Sequence, residues 1–350
     1  MSERAVVRFD SLRALIDQDS LAALFGPIRT FTRTPLQTVG YSAATHERIH
    51  LTLGDGRARR FVVKRANLAI DWTAIRSGDR TGREARMLGE PGLAGIWDPI
   101  ECPYVAFAVE GREIGLLMND LSSWLYPDTR KALQTAREDP LLDALAGLHA
   151  KYWNTSVTLP WLVSTDRMAG LVDVSLSREG TAVACVPAQL RASIVRGWAL
   201  VLERVSGKVR DMLTSPTKSL HSYWKGLPRT LIHGDPKVAN FALLENGRIA
   251  GFDWALLGLG PASTDLGWYL AINGSRLSRS RGATLDRYRE LLQKHLAGAL
   301  PDATWNGLRR AAIVLGARML LWSKALSVEN GRAGAVEEWN WWVERLEAEM

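Results

Sequence analysis

Residues 231–258 read LIHGDPKVANFALLENGRIAGFDWALLG. A histidine, two aspartates, a lysine and an asparagine crowd an otherwise apolar run, and such groups are costly to bury unless partners satisfy them. Gly234 and Pro236 force a turn around Asp235, which displays its carboxylate on a loop. Asn246-Gly247, flanked by apolar runs, signals a two-residue type I′ hairpin. Counting back from that turn, with Glu245 facing Arg248, sets Asn240 opposite Asp253 on one face of the ribbon.

An amide oxygen and a carboxylate side by side are hard oxygen ligands that suit Mg²⁺. Asp235, five residues before Asn240, can orient a hydroxyl, and Lys237 can neutralise charge. Together these are the parts for phosphoryl transfer, where positioning and electrostatics do most of the catalysis.

The flanking sequence sets this stretch inside a larger plan. At 350 residues and 47% hydrophobic, the chain suits one large domain or two packed lobes. The N-terminal stretch MSERAVVRFDSLRALIDQDSLAALFG has charges throughout and reads as an amphipathic helix, so 1–34 is expected to be a helical extension. LQTVGYSAATHERIHLTL and ARRFVVKRA, separated by GDG, predict a hairpin. A helical segment over TGREARMLG follows, then strands at YVAFAVE and EIGLLMNDL. From about residue 127 the pattern turns helical, with Leu141, Leu142, Leu145, Leu148 and Trp153 at helical spacing in PLLDALAGLHAKYW. The predicted fold class is α+β: a small β-rich lobe over 35–121 joined near Asn119 to Tyr126 to a larger helical lobe over 122–350.

The order Lys64, Glu84, Asp235, Asn240, Asp253 follows the order of parts in kinases: strand lysine, helix glutamate, catalytic Asp and Asn, metal-binding Asp. With HGD, four residues, Asn and a later Asp-Trp, the chain resembles the aminoglycoside phosphotransferase and choline kinase-like family from about residue 35 onward. The resemblance implies a two-lobed protein-kinase-like fold and an ATP-dependent phosphotransferase acting on a small-molecule hydroxyl, with GTP as a possible alternative donor. It implies that Asp235 is catalytic, that Asn240 and Asp253 hold Mg²⁺, and that Lys64, held by Glu84, contacts the α and β phosphates. Lys237 stands where protein kinases carry a lysine near the γ-phosphate. The backbone of Met118, Asn119 and Leu121 corresponds to the hinge that reads the base, and Gly40 with Ser42 to the phosphate loop. Asp265 matches a family aspartate expected to brace the catalytic loop.

Two alternatives stay open, a protein kinase and a nucleotide-binding pseudokinase module. No Ala-Pro-Glu segment follows, and Asp-Trp replaces Asp-Phe-Gly, which tells against the first; the retained catalytic set tells against the second.

Two cysteines, no long uncharged apolar run and no signal-peptide h-region predict a cytoplasmic chain with no membrane partner. The net charge of +7 lacks the interleaved aromatics and zinc spacings of nucleic-acid binders, so no nucleic-acid partner is expected. A monomer or homodimer is expected. His233 and His149 read as structural histidines. Trp339, Trp341 and Trp342 in EWNWW offer either lobe packing or an aromatic wall for the acceptor, with Glu337 and Glu338 able to add local negative charge. The positive net charge favours a neutral or anionic acceptor at least as much as a polycation.

Overall fold

A computed structural model describes residues 5–37, 40–127, 129–177, 185–298 and 300–349. The N-terminal lobe is built on a six-stranded sheet in the order β1-β5-β6-β4-β3-β2. Its strands are β1 (Val7–Phe9), β2 (Ile28–Pro35), β3 (Thr45–Leu53), β4 (Ala58–Asn67), β5 (Tyr104–Glu110) and β6 (Glu113–Asn119).

The stretch before residue 35 departs from the helical extension read in sequence. It holds a strand at each end, β1 pairing parallel to β5 and β2 antiparallel to β3, with α1 (Gln18–Phe25) between them. Leu12, Leu15 and Leu21 from this stretch bury against Ile49, Leu51, Phe61, Val63 and Leu117 of the sheet. Leu15 and Leu12 close so tightly on Gly115 that a Cβ there would lie 2.4 Å from Leu15 Cδ1. The segment is thus the outer cover of the lobe, because strand alternation leaves one sheet face apolar and that face needs a partner.

The opposite face of the same strands looks into the cleft. Val62, Lys64 and Ala66 alternate with the core positions Phe61 and Val63 along β4. Between β4 and β5 lie two short helices, α2 (Trp72–Ser77) and α3 (Arg83–Arg86). The helix read over TGREARMLG is one turn of α3 continued by a 3-10 turn from Met87 to Gly89.

The C-terminal lobe contains α4 (Thr135–Lys151), α5 (Thr165–Ala169), α6 (Ala188–Arg204), α7 (Gly207–Thr214), α8 (Ser263–Ile272), α9 (Arg281–Leu296), α10 (Asp302–Glu329) and α11 (Ala335–Ala348). Two small sheets sit at the cleft: β9 (Phe241–Leu243) with β10 (Ile249–Gly251), and β11 (Gly258–Gly260) between β7 (Val163–Ser164) and β8 (Thr230–Ile232). Helix α10 is long and apolar enough to cross a membrane by length and composition, yet 67% of its apolar window is buried within the lobe. It packs against α6, α8 and α11 as the core helix.

Of the C-terminal tryptophans, Trp342 is buried and Trp339 nearly so, while Trp341 lies under Arg281, 5.4 Å from its guanidinium carbon. Glu338 pairs with Arg281 and with Lys324 of α10. Lobe packing therefore engages this cluster, and neither its rings nor Glu338 line the cavity beside Asp235.

Candidate active site

The hairpin at the heart of the quoted stretch forms in a register one residue away from the type I′ count. Ile249 faces Leu243, Ala250 faces Ala242 and Gly251 faces Phe241. Leu244 and Arg248 close the ribbon, Leu244 N–H donating to Arg248 O at 2.9 Å, so the loop has three residues. A type I′ turn needs positive φ at both central residues. Gly247 has φ +79°, but among described non-glycine residues only Asn154, Asp253 and Ala297 have positive φ. Asn246 instead caps the loop, accepting from Arg248 N–H at 3.0 Å. The outcome is a turn followed by a left-handed glycine, the three-residue alternative for the same Asn-Gly signal.

The expected pairing of Asn240 with Asp253 is therefore corrected: Asn240 stands opposite Phe252, whose N–H donates to Asn240 O at 3.1 Å. Asp253 has left the ribbon by taking a left-handed backbone conformation (φ 62°, ψ 54°), which turns its carboxylate out of the hairpin's alternation. A one-residue slip would have put the two side chains on opposite faces of a regular strand. The kink at Asp253 instead carries its carboxylate into the cavity that Asp235 also lines.

Lys64 joins the lobes. Its ammonium lies 2.7 Å from Glu84 Oε2 and 2.5 Å from Asp253 Oδ1. Burial alone would push this ammonium down, but Asp253 and Glu84 outweigh it and hold Lys64 well above its ordinary value. Burial likewise opposes the Asp253 carboxylate, and Lys64 overrides it, keeping Asp253 below the usual carboxylate range. Glu84 is pinned from its other oxygen by Tyr104, whose hydroxyl donates at 2.7 Å. Charge-assisted bonds to buried groups contribute about 1.5–3 kcal/mol, so Glu84→Ala is expected to raise the KM for nucleotide roughly tenfold or more by freeing Lys64. An unchanged KM in steady-state kinetics would count against this role.

Asp235 is half-buried, with both oxygens engaged. Asn240 Nδ2 donates to Oδ2 at 3.1 Å and to the Asp235 carbonyl at 3.0 Å, and Trp268 Nε1 donates to Oδ1 at 2.6 Å. Burial and the nearby Asp253 push the Asp235 carboxyl up to about 6, against the lowering effect of Trp268, Asn240 and Lys237. Trp268 was not singled out in the sequence; the only signal was its place one turn after Asp265 on a helix beginning beside the loop.

Asp265 accepts from the backbone N–H of His233 (2.7 Å) and Gly234 (2.8 Å), and its Oδ2 is 3.1 Å from His149 Nε2. Gly234 has φ +84°, and a Cβ there would come within 2.1 Å of Leu256 O, so the loop needs glycine on both counts. His233 is fully buried, and burial holds it below its ordinary value, hence neutral. Its Nδ1 accepts from Asp235 N–H at 3.3 Å and its Nε2 faces Phe252 O at 3.1 Å, which leaves neither nitrogen for catalysis.

The cavity is lined by Ser42, Lys64, Glu84, Asp235 and Asp253 together with Asp71, Trp72, Asp79, Leu171 and Trp268. Gly40, Met118, Asn119, Leu121, Lys237 and Asn240 are not among its lining residues. Ser42 donates its hydroxyl to Asp71 at 2.9 Å, tying the predicted phosphate loop to α2; Gly40 is exposed. Met118 is buried in β6, Asn119 N–H donates to Pro103 O at 2.9 Å, and Leu121 packs with Ala242 and Ala250 beneath the hairpin. Lys237 is half-buried on the loop, its N–H donating to Asp235 O at 2.7 Å.

Residues 188–304 match the phosphotransferase enzyme family (APH), a segment running from α6 through the catalytic loop and past α9. That segment is about a third of the chain, and the whole chain has a kinase-like α+β fold. Among solved structures it is similar to LicA in complex with AMP, at 14% identity over 97% of this chain and 100% of that one, with a TM-score of 0.50. It is also similar to choline kinase LicA from Streptococcus pneumoniae (13% identity, 95% and 97% covered, TM-score 0.47). A third similar structure is macrolide 2′-phosphotransferase MphH from Brachybacterium faecium (15% identity, 96% and 97% covered, TM-score 0.44). No curated protein sequence matches the chain.

Proposed function

We propose that this chain transfers the γ-phosphoryl group of ATP to a hydroxyl of a small molecule in the cytoplasm. The observation that carries the reading is Lys64 bridging Glu84 and Asp253 while Asp235 faces the same cavity. Lys64 would neutralise nucleotide phosphate oxygens, with Glu84 and Tyr104 fixing its position. Asp235 would accept the proton of the acceptor hydroxyl as its oxygen bonds to the γ-phosphorus and the bond to the β-phosphate oxygen breaks, releasing ADP. Lys237, on the same loop, would add positive charge near the transferred group.

The donor set fits a magnesium ion. The amide nitrogen of Asn240 is committed to Asp235, which leaves its Oδ1 as one oxygen for a cation, and the partly exposed Asp253 carboxylate would supply another. When bound, Mg²⁺ supplies charge neutralisation and orientation of the phosphates.

Only eleven residues separate Asp253 from Asp265, and they form a 3-10 turn, β11 and the start of α8. That leaves no platform for a peptide acceptor and supports a small-molecule one. Asp71 and Asp79 line the cavity, but their oxygens already accept from Ser42, Ala43 and Ala74, and from Thr81, Gly82 and Arg83. These neutral donors hold the two carboxylates in place without removing their charge, so it is the net charge of +7 that supports a neutral or anionic acceptor at least as much as a polycation.

The test is a panel of hydroxylated metabolites and antibiotics incubated with ATP and Mg²⁺, scored by mass gain of one phosphoryl group and ADP release. A product confined to polyamine antibiotics would overturn the acceptor preference, and the absence of any product would overturn the reading. Because the base must be ionised, kcat/KM for the acceptor is expected to fall as pH drops through about 6, where Asp235 of the free enzyme protonates. A profile flat from pH 5 to pH 8 would exclude Asp235 as that base.

A further inference from the structure

Trp268 combines two observations that the catalytic template does not call for. Its indole N–H lies 2.6 Å from Asp235 Oδ1, and its ring lines the cavity beside Trp72, Leu171 and Leu256. The residue is only 8% exposed and sits on α8, whose other face packs closely on α10, Gly267 meeting Gly316. The close approach of the two glycines fixes α8 against the core, and with it the indole.

An ionised carboxylate free to rotate presents its oxygens in many directions, whereas one held by a donor on each oxygen is fixed in a single plane. Here Asn240 holds Oδ2 and Trp268 holds Oδ1, and each oxygen keeps a lone pair for a further proton donor. We propose that Trp268 is a positioning residue for phosphoryl transfer: its N–H aims Asp235, and its ring forms the wall against which the acceptor's carbon skeleton packs.

This inference rests on the kinase reading for its kinetic consequences but not for its hydrogen bond.

The structural arm uses the intact protein labelled with ¹⁵N-tryptophan. The Trp268 indole resonance, identified by its absence in Trp268→Phe, is expected to move upfield at constant pH in Asp235→Ala, which removes its acceptor, while the other indole resonances hold. A Trp268 indole signal unmoved in Asp235→Ala would overturn the proposal. This arm needs neither nucleotide nor acceptor, so it is independent of whether the chain is a kinase.

The kinetic arm uses the acceptor found by the metabolite panel. Trp268→Phe, which keeps a ring and loses the donor, is expected to lower kcat roughly tenfold with the acceptor KM little changed, in keeping with one hydrogen bond to a charged group. Trp268→Ala is expected to raise the acceptor KM as well. Wild-type kinetics in Trp268→Phe, with its other indole signals unmoved, would overturn the positioning role. A wild-type enzyme inactive on every hydroxyl would instead overturn the kinase reading, leaving the indole shift in Asp235→Ala to decide the hydrogen bond.

Discussion

Asp235→Asn is expected to reduce kcat by roughly 10²–10⁴-fold, the range that a positioned general base contributes, while making the folded protein slightly more stable. The first effect follows from removing the only group on the loop that could take the acceptor proton. The second follows from the sign of its titration. The Asp235 carboxyl goes from an ordinary 3.8 when unfolded to about 6 when folded. Below the unfolded value both states are protonated and the group has no effect. As pH rises between the two values, the folded state alone retains the proton, so stability is lost through that window and the loss levels off above about 6.

At neutral pH the ionised carboxylate therefore costs up to about 3 kcal/mol, reduced because Asp235 is half-buried and solvent screens it. The substituted amide brings its own penalty, since its NH₂ would meet that of Asn240. A net gain of about 1 kcal/mol is expected, with a melting-temperature rise of a few degrees at pH 7.5 that vanishes below pH 4. Thermal melts at both pH values check the sign, and retained activity or a destabilised variant at pH 7.5 would refute it. The stability change belongs to folding; the rate change belongs to the site.

Asp265→Ala is expected to cost about 3–5 kcal/mol of stability and to abolish activity through loss of the loop's shape, a large share of the 5–15 kcal/mol typical of a folded chain. The carboxylate is nearly fully buried, and its removal leaves His233 N–H, Gly234 N–H and His149 Nε2 without their acceptor. Each such buried polar group costs about 1–3 kcal/mol when unpaired, less where water enters the space. His149 extends the brace outward, its Nδ1 lying 2.6 Å from the Tyr288 hydroxyl on α9. Urea denaturation of the variant against wild type measures the cost. A loss below 1 kcal/mol would show that the loop holds its conformation without Asp265.

These two variants separate the carboxylate displayed on the loop, Asp235, from the carboxylate outside the quoted stretch that holds the loop, Asp265. The Lys64, Glu84 and Asp253 constellation was legible because residue order along a chain constrains which parts can meet, and the structure joins those three groups. His233 and His149 were legible as structural because each sits in an apolar run, and the structure gives both their partners. The hairpin was legible from Asn246-Gly247, but its register was not. The same dipeptide serves two loop lengths, and the choice depends on whether Asn246 takes a left-handed conformation, which neighbouring packing decides. The N-terminal stretch shows the same limit, because its amphipathic pattern declares a buried face without saying that strands at its ends complete the sheet.

Sequence by itself determined the two-part plan and the order of Lys64, Glu84, Asp235, Asn240 and Asp253, since local turn chemistry and side-chain type are carried by the chain itself. Only the tertiary structure decided which tryptophans reach the site, Trp72 and Trp268. The EWNWW rings are taken up by lobe packing, while Trp268 is brought to Asp235 by a helix fixed against α10. It also decided that Asp253 reaches the cavity through a left-handed kink and not through the ribbon's alternation. Both outcomes depend on packing between segments distant in sequence, which spacing along the chain does not encode.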